Sequence, residues 1–193
     1  MLKTVVIADD EPITRMDLCE ILKGAGYKVV GEASDGFDAV EICRKHKPDL
    51  VLMDVKMPLL DGLKATKIII NEELSDSVVL LTAYSGNEFI EQAKEAGVMC
   101  FLVKPFDERH LLPAIEVALS RGREIKRMKC DVEKVKGDLE SRKAIERAKG
   151  ILMKRYEITE EEAYNKIRKL SMDKRCAMVK IADTIILNEN QMQ

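Results

Sequence analysis

The sequence has no apolar run long enough to span a membrane; the longest, such as Val78 to Leu81, fall far short of the roughly 20 residues that a spanning helix needs. Met1-Leu2-Lys3 leads straight into a strand-like pattern, without the apolar segment of a signal peptide. Cysteine is scarce. Cys19, Cys43, Cys100, Cys130 and Cys176 are odd in number, widely spaced and never in a C-x-x-C pair, which argues against a disulfide framework or a zinc site and predicts reduced core thiols. A cytoplasmic location without membrane association is the expectation.

The 193 residues leave room for one full globular domain and a smaller module. Apolar residues make up 46%, enough for a core, and charged residues 34%, above the roughly 25% of ordinary domains. A disordered or collagen-like chain is excluded, and exposed, charge-laced helices are expected. The net charge of −2 conceals an asymmetry. Residues 1–120 carry 13 Lys and Arg against 21 Asp and Glu, a net of −8, whereas residues 121–193 carry 19 against 13, a net of +6. The basic third fits a polyanionic partner or a solvated helical surface.

Residues 1–120 alternate between two periodicities. Short apolar or β-branched runs at Thr4–Ala8, Lys28–Ala33, Leu50–Met53, Ser77–Thr82 and Cys100–Val103 are separated by amphipathic stretches. The pattern predicts an α/β fold, a (βα)5 doubly wound parallel sheet with its functional crevice at the carboxyl ends of the strands. Asp9-Asp10 follow the first strand, Asp54 the third, Thr82 ends the fourth, and Lys104-Pro105 follow the fifth. Three converging carboxylates repel one another unless a hard cation joins them, and oxygen donors with room for water suit Mg²⁺. With the ion and the Lys104 ammonium neutralising phosphoryl oxygens, one carboxylate can accept a phosphoryl group; Asp54, ending the central strand, is the natural choice. Asp10 before Glu11-Pro12 also reads as a helix N-cap.

These pieces, together with Leu50 to Gly62, Thr82-Ala83 and Phe101 to Phe106, make residues 1–120 resemble a two-component receiver domain. The resemblance implies that Asp54 is the phosphoacceptor, that Asp10, Asp54 and the Lys56 carbonyl bind Mg²⁺ with Asp9 assisting through water, and that a histidine kinase is the donor. Lys104 would pair with the phosphoryl group, Thr82 would hydrogen-bond it, and Lys104-Pro105 would be cis. Drawn inward, Thr82 would free space for Phe101 to rotate from exposed to buried, remodelling the face of the fourth and fifth predicted helices and fifth strand as a population shift. Lys56 and Tyr84, flanking the pocket, are expected to limit hydrolytic water. The only catalysis expected is the receiver's own phosphoryl transfer and autodephosphorylation.

Beyond Asp107 a helical pattern continues. Ile125, Met128, Val132, Val135 and Leu139 follow the 3-4-3-4 spacing of a coiled-coil seam, which must pair with a second chain or fold onto its own receiver; residues 121–138 are read as this linker, interrupted weakly by Gly137. Residues 139–193 predict a small helical bundle. A basic helix runs over Ser141–Arg155, and a capping box at Thr159 to Glu162, stapled by Ile158 onto Ala163, opens a second helix burying Ala163, Tyr164, Ile167 and Leu170. A third runs from about Asp173 to Asn188, burying Cys176, Val179, Ala182 and Ile186. A turn near Ser171-Met172, with Lys174 and Arg175 opening a recognition helix, would make a DNA-binding helix-turn-helix. The densest basic cluster is instead Arg142, Lys143, Arg147, Lys149, Lys154 and Arg155, with Tyr156 and Tyr164 as core residues or as stacking platforms for unpaired bases.

Ser141-Arg142, Ile145 to Met153, Ile158-Thr159, Glu162 to Tyr164, Leu170-Ser171 and Ile181 to Asp183 make residues 139–186 resemble an ANTAR domain, the RNA-binding antitermination module of the AmiR and NasR type. Met172 to Arg175 depart from that family's more neutral stretch. The two resemblances together imply a response regulator that dimerises on phosphorylation and holds hairpin RNA in nascent transcripts, preventing terminator formation.

Overall fold

The computed structural model describes residues 2–83, 91, 93–98 and 100–190. The chain divides into two compact units, Met1–Arg127 and Met128–Gln193. In the first, five strands are joined in the order β2-β1-β3-β4-β5, every pair parallel. They are β1 (Thr4–Ala8), β2 (Lys28–Ala33), β3 (Leu50–Asp54), β4 (Val78–Thr82) and β5 (Cys100–Val103), with α1 (Pro12–Gly24), α2 (Gly36–His46) and α3 (Gly62–Asn71) between the earlier strands. The expected strands agree within one residue, Asp54 joining β3 and Ser77 falling before β4.

The period-two alternation of the strands divides the core. Val5, Ile7, Leu50, Leu52, Val79 and Leu81 point to one face, where Leu18 and Leu22 of α1 and Leu111 and Ile115 cover them. Val6, Ala8, Val51, Met53, Val78 and Leu80 point to the other, under Val40 and Cys43 of α2 and Ala65 and Ile69 of α3. Burial on both faces is why these strands read as continuous apolar runs. The sheet is doubly wound and flavodoxin-like, and its strand order reverses at β1 and β3. Local chemistry starts the helices where they are needed: Asp35 accepts from the amides of Phe37 and Asp38 at α2, and Asp61 from Lys64 at α3.

After β5 a single helix, α4, runs from Glu108 to Tyr156, so the expected linker helix and the expected basic helix are one element. Residues 123–140 are exposed throughout. The second unit closes around Ala148 and Leu152 of α4, Ala163 and Ile167 of α5 (Glu160–Lys174), and Ala182 of α6 (Met178–Asn190). Both halves of the predicted capping box form: Thr159 Oγ1 accepts from the Glu162 amide at 3.3 Å, and Glu162 Oε2 accepts from the Thr159 amide at 2.8 Å. Ile158 packs into the same core as Ala163, as the staple requires.

Several expectations are corrected. Tyr164 and Leu170 are exposed, because α5 buries only the narrow stripe of Ala163 and Ile167. The third helix does not begin at Asp173; α5 continues through Ser171 and Met172 to Lys174 and stops where Arg175 turns left-handed at φ 49°. There the amides of Arg175 and Cys176 donate back to the Met172 and Ser171 carbonyls, a Schellman-type ending. Lys174 and Arg175 therefore close one helix instead of opening the next. Cys176 and Val179 are half-buried, and the packed residues of α6 are Met178, Ile181, Ala182, Ile185 and Ile186. Of the cysteines, Cys19 and Cys43 are core residues, Cys100 and Cys176 half-buried, and Cys130 exposed on α4. Burial pushes the Cys43 thiol up to about 12.

Candidate functional site

The carboxyl ends of four strands bring the predicted pocket residues together. Asp9, immediately after β1, is fully buried. Its Oδ1 accepts from the Glu11 amide at 3.0 Å and its Oδ2 from Lys104 Nζ at 2.7 Å. The same ammonium lies 2.7 Å from Oδ1 of Asp54, so it bridges two buried carboxylates. Lys104 is carried there by β5: its amide donates to the Thr82 carbonyl at 2.7 Å, and the Lys104-Pro105 bond is cis. Thr82, ending β4, is buried.

The loop after Asp54 is fixed by close backbone approach. Gly62 donates to the Val55 carbonyl at 2.9 Å, and a Cβ on Gly62 would stand 1.9 Å from the Asp54 carbonyl oxygen. Only glycine fits. Beside this loop opens a groove of about 690 Å³, lined by Asp10, Lys56, Met57, Lys64 and Lys67 among others.

Electrostatics set the site apart from the rest of the sheet. Burial pushes the Asp54 carboxyl above its ordinary range; Lys104 pulls it back in part, and the charges of Asp9 and Asp10 push it up again. Burial pulls the Lys104 ammonium down, but Asp54 and Asp9 more than offset this and leave it raised. Three carboxylates against one ammonium leave an excess of negative charge at the mouth. Asp10 is exposed, and it is not the cap of α1: Glu11 holds that position without a side-chain cap bond, with Pro12 in the first turn. Among the described residues no cluster of three or more His, Cys, Asp or Glu is gathered tightly enough to enclose an ion. The donor set of carboxylates and backbone carbonyls nevertheless fits a hard divalent ion that keeps several waters and takes one or two protein carboxylates.

Phe101 is half-buried against the core on the Val6 face. Tyr84 lies outside the described residues, as does most of the segment expected to form the fourth helix; residues 91 and 93–95 are helical.

In the second unit Arg142, Lys143, Arg147, Lys154 and Arg155 are exposed along α4, whereas Lys149 is buried. Its Nζ lies 2.8 Å from Glu146 and 2.6 Å from Glu160, tying α4 to the start of α5. Those carboxylates raise the Lys149 ammonium, and Lys149 holds the Glu160 carboxyl low. Sequence reasoning counted Lys149 with the outward-facing charges; the acidic residues at 146 and 160 are the signal that turned it inward. Tyr156 and Tyr164 are both exposed, and the Lys166 ammonium sits 4.1 Å from the centre of the Tyr156 ring.

Comparison with known proteins agrees with this geometry. Residues 5–116 match the response regulator receiver domain family and residues 133–186 the ANTAR domain family. The transcriptional regulatory protein PdtaR of Mycobacterium tuberculosis is 46% identical over 95% of this chain and 89% of its own length. The chemotaxis protein CheY of Thermotoga maritima is 37% identical over 58% of this chain and 94% of its own. Among solved structures, the response regulator domain of Thermotoga maritima CheB superposes with a TM-score of 0.57 at 30% identity, covering 62% of this chain and 98% of that one. The receiver domain of Mycobacterium tuberculosis NarL superposes with a TM-score of 0.59 at 30% identity, over 62% and 97%. The chain belongs to the response regulators in which a receiver domain is followed by an ANTAR domain.

Proposed function

We propose that Asp54 accepts a phosphoryl group from a sensor histidine kinase and that this promotes dimerisation and the binding of hairpin RNA in nascent transcripts, preventing termination. The observation that carries the reading is the Lys104 ammonium held 2.7 Å from both Asp54 and Asp9. It stands ready for the oxygens of a phosphoryl group, where a preorganised cation is worth most. An Asp54 oxygen attacks phosphorus, the bond to the donor histidine nitrogen breaks, and that nitrogen keeps the electron pair. Mg²⁺, held by Asp10, Asp54 and the Lys56 carbonyl with Asp9 assisting through water, would neutralise phosphoryl oxygens. Thr82 would hydrogen-bond the new group and Phe101 would respond by rotating further inward, at a cost offset by the added charge of about −1.5 to −2.

The division is read as a receiver over 1–120, a coiled-coil linker over 121–138 and an RNA-binding domain over 139–193. RNA contact falls to Arg142, Lys143, Arg147, Lys154 and Arg155, all exposed on α4, with Lys149 assigned to packing. The helix-turn-helix reading is weakened because Lys174 and Arg175 end α5. The test is phosphorylation by a small acyl phosphate with Mg²⁺, followed by gel shifts against hairpin RNA and duplex DNA. Asp54→Ala should take up no phosphoryl group, and donor-dependent binding should be confined to the RNA. A shift of duplex DNA alone would overturn the RNA assignment, and a phosphorylated Asp54→Ala variant would overturn the acceptor.

A further inference from the structure

The helical unit holds a groove that its own side chains leave open. Residues of α4, α5 and α6 line it, and its volume is about 490 Å³, in the range of roughly 300–1,000 Å³ usual for sites that enclose an organic group. The floor is apolar: Leu152 is 7% exposed, and Ile185 packs into the same core. The rim is exposed and carries Arg155, Lys166 and Lys169 against Asp173, three cations to one carboxylate. An apolar floor under a cationic rim suits a flat heteroaromatic group attached to an anionic chain. Tyr156 supplies the wall. It is the last residue of α4, the chain turns left-handed directly after it at Glu157 (φ 50°), and the Lys166 ammonium stands 4.1 Å from the ring centre. A cation over the ring holds it in place, yet Tyr156 remains 52% exposed. Leading to this groove, Lys143, Arg147, Ile151 and Arg155 recur every four residues and form one row along α4. The first two are exposed, and the last two line the groove. A polyanion lying on Lys143 and Arg147 is thereby brought to the groove mouth.

We infer that this groove receives one unpaired base of an RNA loop, stacked on Tyr156, with Arg155, Lys166 and Lys169 meeting the flanking phosphates and Asp173 reading the base's pairing edge. The inference rests on the proposed RNA binding and deepens it, because it names the part of the RNA that enters the protein and the place where it enters. Bases inside a duplex are stacked and paired, whereas loop bases can be splayed out onto an aromatic ring. A free mononucleotide shares this chemistry, but the basic row running away from the groove along α4 serves only a longer chain. An ionised Asp173 offers acceptors and no donor. It therefore favours adenine, guanine or cytosine, each of which presents an amino group on its pairing edge, over uracil, which presents two carbonyl oxygens.

The test uses the full chain, phosphorylated with a small acyl phosphate and Mg²⁺, and the hairpin RNA bound in the gel shifts, with each loop nucleotide made abasic in turn. One abasic position should weaken binding about tenfold. Tyr156→Ala should weaken the intact hairpin by a similar factor at an unchanged salt slope, and Tyr156→Phe should keep the affinity. Tyr156→Ala combined with that abasic position should cost no more than either alone; losses that multiply at every position would overturn the inference and leave RNA binding standing. Asp173→Asn, which restores a donor, should remove the discrimination against uracil at that one position while the fold melts as before, and retained discrimination would overturn the reading of the base edge. Adenosine monophosphate should displace the hairpin only at far higher concentration; displacement at the hairpin's own dissociation constant would make the groove a mononucleotide site and overturn the inference. An unsubstituted chain that binds no hairpin RNA would overturn the RNA reading and the inference with it.

Discussion

Lys149 on α4 and Glu160 at the start of α5 meet at 2.6 Å, and the lysine stem is buried while the glutamate stays largely exposed. A long side chain of this kind acts through the apolar surface that its methylenes cover as well as through its charge. Replacing Lys149 by Ala should therefore destabilise the helical unit by about 1 kcal/mol, seen as an earlier unfolding midpoint by circular dichroism. Arg147→Ala, at an exposed position, should leave stability unchanged. It should weaken hairpin RNA and reduce the salt slope by about 1 if it contacts a phosphate. An unchanged RNA affinity and slope for Arg147→Ala would remove it from the contact surface.

The pKa of Asp54 gives a pH dependence with a definite sign. Burial, with the charges of Asp9 and Asp10 against the pull of Lys104, raises this carboxyl in the folded protein. Below the unfolded value of about 3.9 the group is neutral in both states and costs nothing. Stability is then lost as pH rises through the window up to the raised folded value, and the full cost applies above it. Asp54→Asn should raise the melting temperature near neutral pH by a few degrees, with the gain fading in acid. Equal gains at all pH values would place the effect outside this carboxyl.

Added Mg²⁺ should stabilise the wild-type chain through the same excess of negative charge. In thermal shift the increment should shrink in Asp10→Asn, because Asp10 is exposed at the pocket and is not used to cap α1. An undiminished increment would take Asp10 out of the ion's donor set.

Two glycines should respond oppositely to alanine. At Gly62 the new methyl would collide with the Asp54 carbonyl oxygen at 1.9 Å, so Gly62→Ala should cost about 2 kcal/mol or more and slow phosphorylation by acyl phosphate. At Gly137, in the interior of α4, nothing lies within 4 Å of the added carbon. Gly137→Ala should stabilise the helix by about 1 kcal/mol, measurable by urea denaturation.

The sheet was legible because its signal is local. Strands buried on both faces, such as Leu50 to Met53, read as unbroken apolar runs, and Asp9, Asp54, Thr82 and Lys104 fall at their ends by counting alone. The capping box at Thr159 was legible for the same reason. The end of α5 was not: it depends on Arg175 entering a left-handed conformation that any residue but glycine visits at a cost of about 1–2 kcal/mol, held there by bonds to Ser171 and Met172. No glycine or proline announces it. The burial of Lys149 escaped because it depends on Glu160, eleven positions away along the chain and adjacent only once α5 folds back. The alternative reading of Asp10 as a helix cap came from its spacing to Pro12, and the helix starts one residue later than that reading needs, with Glu11 at the cap.

The first turn of α1 begins without a side-chain bond to its amides, next to carboxylates crowded at the carboxyl ends of the central strands. Each choice weakens the folded state, and under the proposed function each keeps an oxygen available for the phosphoryl group or its ion. Directed evolution for heat resistance would be drawn to these positions early and would return hardier molecules deaf to their signal.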